Sequence, residues 1–374
     1  MFDSFRILAV LSDGFGGYGG ISKFNIDLLG ALDACDVVER VYVLQRMIPG
    51  AINGSIPESV VYNRKAANDK FRFVRHLFSF LLLRQKISLV ICGHLSLLPL
   101  AAIAAFICRA RLALIIHGIE SWQRRRWVVR FATRAIDSLV SVSSLTAERF
   151  TSWSGVRMNK AFILPNSVDL SQFKPSGRDI RLIKRYRLGS SKVILTVGRL
   201  AAQERMKGFD EVIDVMPQLL KRFPTLKYLI VGDGSDRPRL ETKVRDNGLS
   251  NHVIFAGRIP DEEKVLHYNL ADAYVMPSAG EGFGIVLIEA AACGLPIVGS
   301  QVDGSREALL NGRLGCLVNP TNQSELLEAV TTALRNTTNR QRNDLVVTFD
   351  VANYKSRVGC WIQREYDAYY SHLP

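Results

Sequence analysis

The chain is 374 residues long, 48% hydrophobic and 22% charged, with a formal net charge of +13. That length exceeds what one core holds and suits two domains; with no low-complexity run or internal repeat, the composition is that of a globular protein. The charge is uneven: residues 1–174 hold 22 Lys and Arg against 12 Asp and Glu, whereas residues 175–374 hold 26 against 23. Such asymmetry points the first half at an acidic partner (a membrane, a phosphorylated acceptor or a nucleic acid), unless it is simply a basic surface.

Six cysteines are scattered, Cys35, Cys92, Cys108, Cys293, Cys316 and Cys360, with no C-x-x-C pair. They predict buried free thiols in a reducing cytosol. The amino terminus runs directly into a strand pattern, with no signal-peptide profile, which predicts a cytoplasmic protein. The longest apolar stretch, residues 95–108, is 14 residues, too short to span a bilayer, and reads as a buried helix.

In chain order, Phe5 to Leu11 predicts the first strand of a Rossmann-like domain, followed by a glycine loop that opens an amphipathic helix. Gly14, Gly16 and Gly19 spell G-x-G-x-x-G, which signals a dinucleotide only where an acid ends the next strand. Here that strand, RVYVLQR, ends in Gln45 and Arg46. The loop, closing on Gly19 and Gly20, reads instead as backbone N–H groups facing a phosphate or sugar, or as a tight turn. Residues 70–86 carry Phe71, Val74, Leu77, Phe78, Leu81 and Leu82 at helical spacing beside five basic residues and no acid. That is either an interfacial helix or a domain helix whose basic face is solvated. Residues 122–134 add five arginines and two tryptophans, and nothing resembling a nucleic-acid module accompanies them.

Strands LVICG and LALII follow, the second ending at His117, where α/β folds place ligands. The polar, basic stretch 174–191 reads as an interdomain linker. A second domain then opens with KVILTVGRL, which ends at Arg199, and Lys207 with Gly208 starts the next helix. LKYLIVGDG places Gly232 and Asp233 at a strand end, and VIFAGRI does the same for Arg258 and Ile259.

Strand AYVMP leads into residues 281–300, where Glu281, Gly282, Phe283 and Gly284 form a tight turn. Ile285 begins a buried helix containing Glu289, and Gly294 closes it. A helix start against a glycine turn presents N–H groups and a positive dipole end, which suits a phosphate. Were the whole span helical, the two carboxylates would lie about 12 Å apart along the axis. Two contacts along an elongated ligand therefore fit better than a close acid/base pair; the alternative is an ordinary βα unit with one satisfied Glu. The end of the chain, residues 354–370, reads as a last helix carrying Trp361, Tyr366 and Tyr370.

The segment from Glu281 to Glu289 resembles the E-x7-E element of the retaining, nucleotide-sugar-dependent glycosyltransferases of family 4. His117-Gly118 is similar to that family's HG. PNSVDLSQF is similar to its P-N-G-V-D-x-x-x-F element, with Ser167 where Gly is usual. Arg199 and Lys207 stand where it grips the donor diphosphate. The resemblance is strong across residues 190–320, partial over 5–25 and 110–175, and weak over 40–110. It implies an α/β, GT-B fold, two Rossmann-like domains facing each other across a cleft. The first, 1–174 with a returning helix at about 352–374, would take the acceptor; the second, 175–351, would hold the nucleotide sugar.

The same resemblance implies roles. Arg199 and Lys207 would stabilise the departing diphosphate, whose growing negative charge two fixed cations favour. Glu281 and the backbone of Gly282, Phe283, Gly284 and Ile285 would orient the sugar, His117 would contact it, and Glu289 would take the ribose hydroxyls. Gly19, Gly20, Gly232, Asp233, Arg258 and Ile259 would line the donor. No D-x-D occurs in the sequence, so neither a metal nor another cofactor is expected. The implied activity is transfer of a hexose from a UDP- or GDP-sugar to a hydroxyl of a glycan or lipid-linked acceptor in polysaccharide or glycolipid synthesis. The competing readings are a nucleotide-sugar epimerase of the same architecture and a non-catalytic nucleotide-sugar-binding protein. The expected setting is cytoplasmic, peripheral on the inner face of the plasma membrane through residues 70–86 and 122–134, with no nucleic-acid partner.

Overall fold

The computed structural model describes residues 5–52, 55–83, 85–336 and 341–371. The chain forms two compact units, Met1–Ser167 with Val351–Pro374, and Val168–Asp350. Unit 1 is built on strands β1 (Phe5–Leu11), β2 (Val38–Gln45), β3 (Val60–Asn63), β4 (Leu89–Cys92), β5 (Arg111–Ile116), β6 (Ser138–Ser141) and β7 (Ala161–Ile163). They form one seven-stranded sheet in the order β3-β2-β1-β4-β5-β6-β7, with every pairing parallel. Unit 2 holds β8 (Val193–Val197), β9 (Lys227–Val231), β10 (Val253–Gly257), β11 (Ala273–Met276), β12 (Ile297–Ser300) and β13 (Cys316–Val318). Its six-stranded parallel sheet runs β10-β9-β8-β11-β12-β13.

Strands covered on both faces must be apolar along their whole length, not alternating. Central β1 has Ile7, Leu8, Ala9, Val10 and Leu11 all buried, and every residue of β8 is buried. In unit 1, Leu8, Val10 and Leu114 pack with Phe73, Leu77 and Ala101 from the covering helices. Unit 2 repeats the arrangement with Ile194, Ile230, Val275 and Val298 against Val212, Met216 and Val330.

The last helix, Val351–Tyr370, is part of unit 1; residues 372–374 of the expected helix lie outside the described residues. Trp361 is 1% exposed, and its indole N–H donates to Ser138 Oγ and Glu365 Oε1, each at 3.2 Å. Glu365 also accepts from Arg111 at 2.8 Å. Tyr366 stacks on Phe5 with ring centroids 5.6 Å apart.

Several sequence expectations change. The stretch read as a linker, 174–191, contains the helix Ile180–Arg185 and lies within unit 2. The apolar stretch 95–108 is not a buried helix: Leu98–Cys108 buries Leu98, Ala101, Ala104 and Ala105 and exposes Ile103, Phe106 and Ile107. With nearly every residue apolar, its sequence carries no periodicity to mark an outer face. In the helix Lys70–Leu82 the core stripe is Phe73, Leu77 and Leu81, while Phe71, Phe78 and Leu82 are exposed; Arg84 of that stretch lies outside the described residues. Among the cysteines only Cys92 and Cys293 are buried, and Cys316 and Cys360 are exposed.

Gln45, singled out because it is not an acid, has a structural role. It is fully buried, and its amide donates to the carbonyls of Phe15 at 2.9 Å and Met47 at 2.6 Å while its oxygen accepts from Tyr62. It fastens the glycine loop to the end of β2, and a carboxylate there would face two carbonyls with nothing to donate. Gln45→Leu strands these buried partners, so we expect a loss of about 2 kcal/mol. That corresponds to a fall of about 4–8 °C in the melting temperature, to be read by calorimetry; an unchanged midpoint would show that solvent serves these groups equally well.

Candidate active site

In an open parallel sheet the strand order reverses at one point, and loops leaving the carboxyl ends of the two strands there part to either side, opening a crevice. In unit 2 that point lies between β8 and β11. The loop after β8 carries Arg199 and Lys207; the loop after β11 carries Glu281 to Gly284 and runs into the helix Ile285–Ala292. The sheet therefore brings together residues that stand some eighty positions apart in sequence.

Glycine decides how closely these loops approach. A Cβ on Gly232 would sit 1.9 Å from the carbonyl oxygen of Gly198, and Gly232 has φ of +138°. Backbone hydrogen bonds then run from Gly198 N–H to Val231 O and from Leu200 N–H to Asp233 O, fixing Arg199 between them. Gly208, with φ of +87°, lies where a Cβ would meet the Pro277 ring at 2.8 Å. Ala279 N–H donates to Met206 O at 2.8 Å, so the turn bearing Lys207 is docked on the strand end that leads to Glu281.

The outcome is a cluster of paired charges. Lys207 Nζ forms a hydrogen-bonded ion pair with Glu281 Oε1, both side chains largely shielded from water. Burial works against the ammonium charge, but attraction and hydrogen bonding from Glu281 outweigh it and hold the Lys207 pKa above its ordinary value. Glu204 adds to that attraction and Arg199 opposes it. Arg199 is itself exposed and donates to Glu204 at 2.7 Å. Each cation thus has its own carboxylate.

The turn holding Glu281 is fixed from below by Asp303, which is buried. Its Oδ2 accepts from Ser278 Oγ at 2.6 Å and from Glu281 N–H at 2.8 Å, and its Oδ1 accepts from Ser305 N–H at 3.0 Å. Burial pushes the Asp303 pKa up, against the pull of these donors. Gly304 N–H completes the seam by donating to Glu281 O at 2.8 Å, and a Cβ on Gly304 would lie 2.1 Å from Gly282 O. Phe283 is buried against Phe349, with ring centroids 5.5 Å apart. Gly284, φ +92°, caps the helix that follows.

Glu289 lies about one turn into that helix and is 2% exposed. Tyr268 O–H donates to its Oε2 at 2.7 Å, and Lys264 Nζ to its Oε1 at 3.2 Å. Attraction to Glu289 is the largest influence on Lys264 and raises its pKa despite burial. Gly232 and Asp233 stand at the end of β9, where Asp233 accepts from Gly234 N–H at 2.8 Å. Arg258 is exposed and Ile259 half-buried just beyond β10.

The remaining expected residues lie in unit 1. Gly19 and Gly20 are exposed at the start of the helix Gly20–Asp33. His117 follows β5, half-buried, with the Phe24 ring edge-on at 5.0 Å. Its Nε2 lies 3.1 Å from Gly93 O; a carbonyl only accepts, so Nε2 carries the proton and Nδ1 is the acceptor. Burial holds the ring's pKa below its ordinary value, which favours the neutral form at pH 7. Glu120 accepts from the backbone N–H groups of His117 at 2.6 Å and Gly118 at 3.1 Å. Ser167, in place of the usual glycine, donates to Asp27 at 2.7 Å.

Asp303, Glu204, Lys264 and Tyr268 escaped sequence reasoning. Asp303 had a signal, the VDGS turn following the E-x7-E segment; the Lys264–Glu289 pair spans 25 positions and left none. Asp303→Asn sets an amide donor against one of three existing donors. We expect this to lower unit 2 stability by about 1–3 kcal/mol in urea unfolding, more than Asp261→Asn at the exposed surface; equal effects would remove Asp303 as the anchor of the turn.

Comparison with known proteins bears on the family and the fold. Residues 181–346 match the family model for glycosyl transferases group 1, and residues 18–172 match that for Glycosyltransferase Family 4. A GDP-mannose-dependent alpha-(1-6)-phosphatidylinositol monomannoside mannosyltransferase of Mycolicibacterium smegmatis is 33% identical over 299 residues, 73% of this chain and 76% of that protein. A glycogen synthase of Mycobacterium tuberculosis is 30% identical over 227 residues, 61% of this chain and 50% of that protein. Among solved structures, HepE of Anabaena in complex with UDP-glucose superposes with a TM-score of 0.76 at 22% identity, covering 96% of this chain and 99% of that one. Sucrose-phosphate synthase of Thermosynechococcus elongatus gives 0.72 at 21% identity, covering 98% and 100%; at such identity both show the fold alone, which is GT-B. With both sheets of the fold present and these matches running along most of its length, the chain belongs to glycosyltransferase family 4 and is a hexosyltransferase of that retaining family.

Proposed function

We propose that the protein transfers a hexose, with retention of configuration, from a nucleoside-diphosphate sugar to a hydroxyl of a glycan or lipid-linked acceptor in cell-surface polysaccharide or glycolipid synthesis. The observation that carries this reading is the shielded Lys207–Glu281 pair beside Arg199–Glu204 at the switch point of unit 2. A diphosphate entering there offers both cations a stronger partner, and charge that builds on it as the glycosidic bond breaks is met by groups already in place. Glu281, freed from Lys207, is left beside the sugar, where positive charge develops. Glu289 is assigned to the ribose hydroxyls, sharing its carboxylate with Tyr268 and Lys264. His117 is assigned to the sugar, with the donor-lining role of Gly19, Gly20, Gly232, Asp233, Arg258 and Ile259 resting on the family resemblance. A relative named for GDP-mannose and a phosphatidylinositol monomannoside makes GDP-mannose the first donor to try.

Incubation with a panel of GDP- and UDP-sugars, followed by nucleoside diphosphate release, tests the reading. Release from none, with or without added acceptors, would overturn it. Release should persist in excess EDTA, because Arg199 and Lys207 supply the charge a metal would otherwise supply; loss that magnesium or manganese restores would contradict this.

The two glutamates should fail differently. A ribose contact acts in ground and transition states alike, so Glu289→Gln should mainly raise the donor KM, by about one to two decades for a charged hydrogen bond. Gln keeps the bond from Tyr268, which limits damage to the fold. Glu281→Gln should lower kcat more than it raises KM. Equal losses of nucleotide affinity with kcat intact in both would make the segment a nucleotide clamp only.

A further inference from the structure

Three helices of unit 1 carry none of the residues assigned a part in the chemistry above. The helix Leu98–Cys108 packs against both Lys70–Leu82 and Trp127–Ala132. All three turn large apolar side chains outward: Phe71 is 87% exposed, Phe106 86% and Trp127 74%, and Leu82, Ile107 and Phe131 are exposed on the same three helices. Exposed cations lie on or next to the same helices: Arg72 and Arg75 on the first, Arg109 after the second, Arg126 just before the third and Arg130 on it. Between residues 70 and 134 the chain has twelve Lys and Arg and a single acid, Glu120, whose carboxylate is engaged by the backbone of His117 and Gly118.

We propose that these three helices form a docking face for the surface of an anionic lipid bilayer. A water-soluble protein seldom leaves so many large apolar side chains in solvent without a use. Exposed apolar side chains interspersed with arginine on adjoining helices match the two layers of a membrane interface, acyl chains below and phosphate groups above. A protein partner would have to be both acidic and apolar over the same area, and a nucleic acid, whose bases could stack on Phe71, gives Leu82 and Ile107 no apolar layer to bury into. Among the described residues no helix is long and apolar enough to cross a membrane, so the contact is peripheral. The middle helix sets this apart from mere charge attraction: its segment 98–108 has no charged residue, so Phe106 contributes only by insertion. The proposal goes beyond the transfer reaction and stands whichever donor and acceptor are used.

Flotation of the whole protein with vesicles of phosphatidylcholine, alone or mixed with phosphatidylglycerol, tests it. Binding should appear on the anionic vesicles only and weaken as salt rises, about fivefold for each arginine replaced by glutamine. Trp127 emission should shift to shorter wavelength on binding; Trp122 and Trp153 are half-buried and Trp361 buried, so Trp127→Phe should remove the shift. Phe106→Ser should reduce binding about tenfold or more while leaving the melting temperature and nucleoside diphosphate release unchanged. Absence of binding to either vesicle overturns the proposal. So does equal binding by Phe106→Ser and the parent, which would leave charge alone at work. Concentration-dependent self-association abolished by Phe106→Ser would overturn it too, because a second copy would then cover the face. Because nucleoside diphosphate release from the donor panel is measured without vesicles, failure of the transferase reading and failure of the docking face are told apart.

Discussion

The backbone of unit 2 approaches itself, at the ends of β8, β9 and β11, more closely than any side chain permits. Gly232 against Gly198, Gly208 against Pro277 and Gly304 against Gly282 are three seams of this kind. Each brings a loop from one strand into register with a loop from another, and each fixes a charged residue one or two positions away: Arg199, Lys207 and Glu281. A larger residue at any of these glycines would separate loops, not merely crowd them. The paired charges of the site follow from that contact, since the Lys207–Glu281 bond joins two loops that the glycines have already docked.

Much of this was legible in the sequence because it is local. Strands covered on both faces read as unbroken apolar runs, and glycine turns before helices announce where strand ends open. That sufficed for two parallel sheets and for placing Arg199, Lys207 and Glu281 in loops after strand ends and Glu289 in the helix that follows; their roles rest on the family resemblance and belong to the proposal above. Pairing between distant segments left no such trace. Asp303 and Lys264 are a lone acid and a lone base in the sequence; only the folded sheet shows that one supports the Glu281 turn and the other engages Glu289. Gln45 was noticed for the acid it is not, whereas its amide is needed because two carbonyls face it.

The helices of unit 1 show where periodicity misleads. In Lys70–Leu82 two apolar stripes coexist, and the helical spacing read from the sequence mixes them: Leu77 and Leu81 are buried together with Phe73, which it leaves out, whereas Phe71, Phe78 and Leu82 are exposed. In Leu98–Cys108 there is no polar face to contrast with the core, so burial and exposure have the same composition. Small residues resolve the ambiguity: the buried side is mostly alanine, which lets that helix approach the sheet closely, and the large side chains are turned out.

The self-pairing of the site's charges has a consequence for what the protein ignores. Arg199 and Lys207 are each paired with a carboxylate, and Lys264 with a third. The cluster therefore projects little net field, and orthophosphate or chloride in the surrounding solution gains little by approaching it. A single small anion must break an ion pair to enter and has few other contacts to offset that loss. On the proposed reading, a ligand carrying two linked phosphates, a ribose and a sugar would engage several of these groups at once. On that reading, selectivity against abundant inorganic anions would arise from the carboxylates that pair with these cations, with no separate gate required.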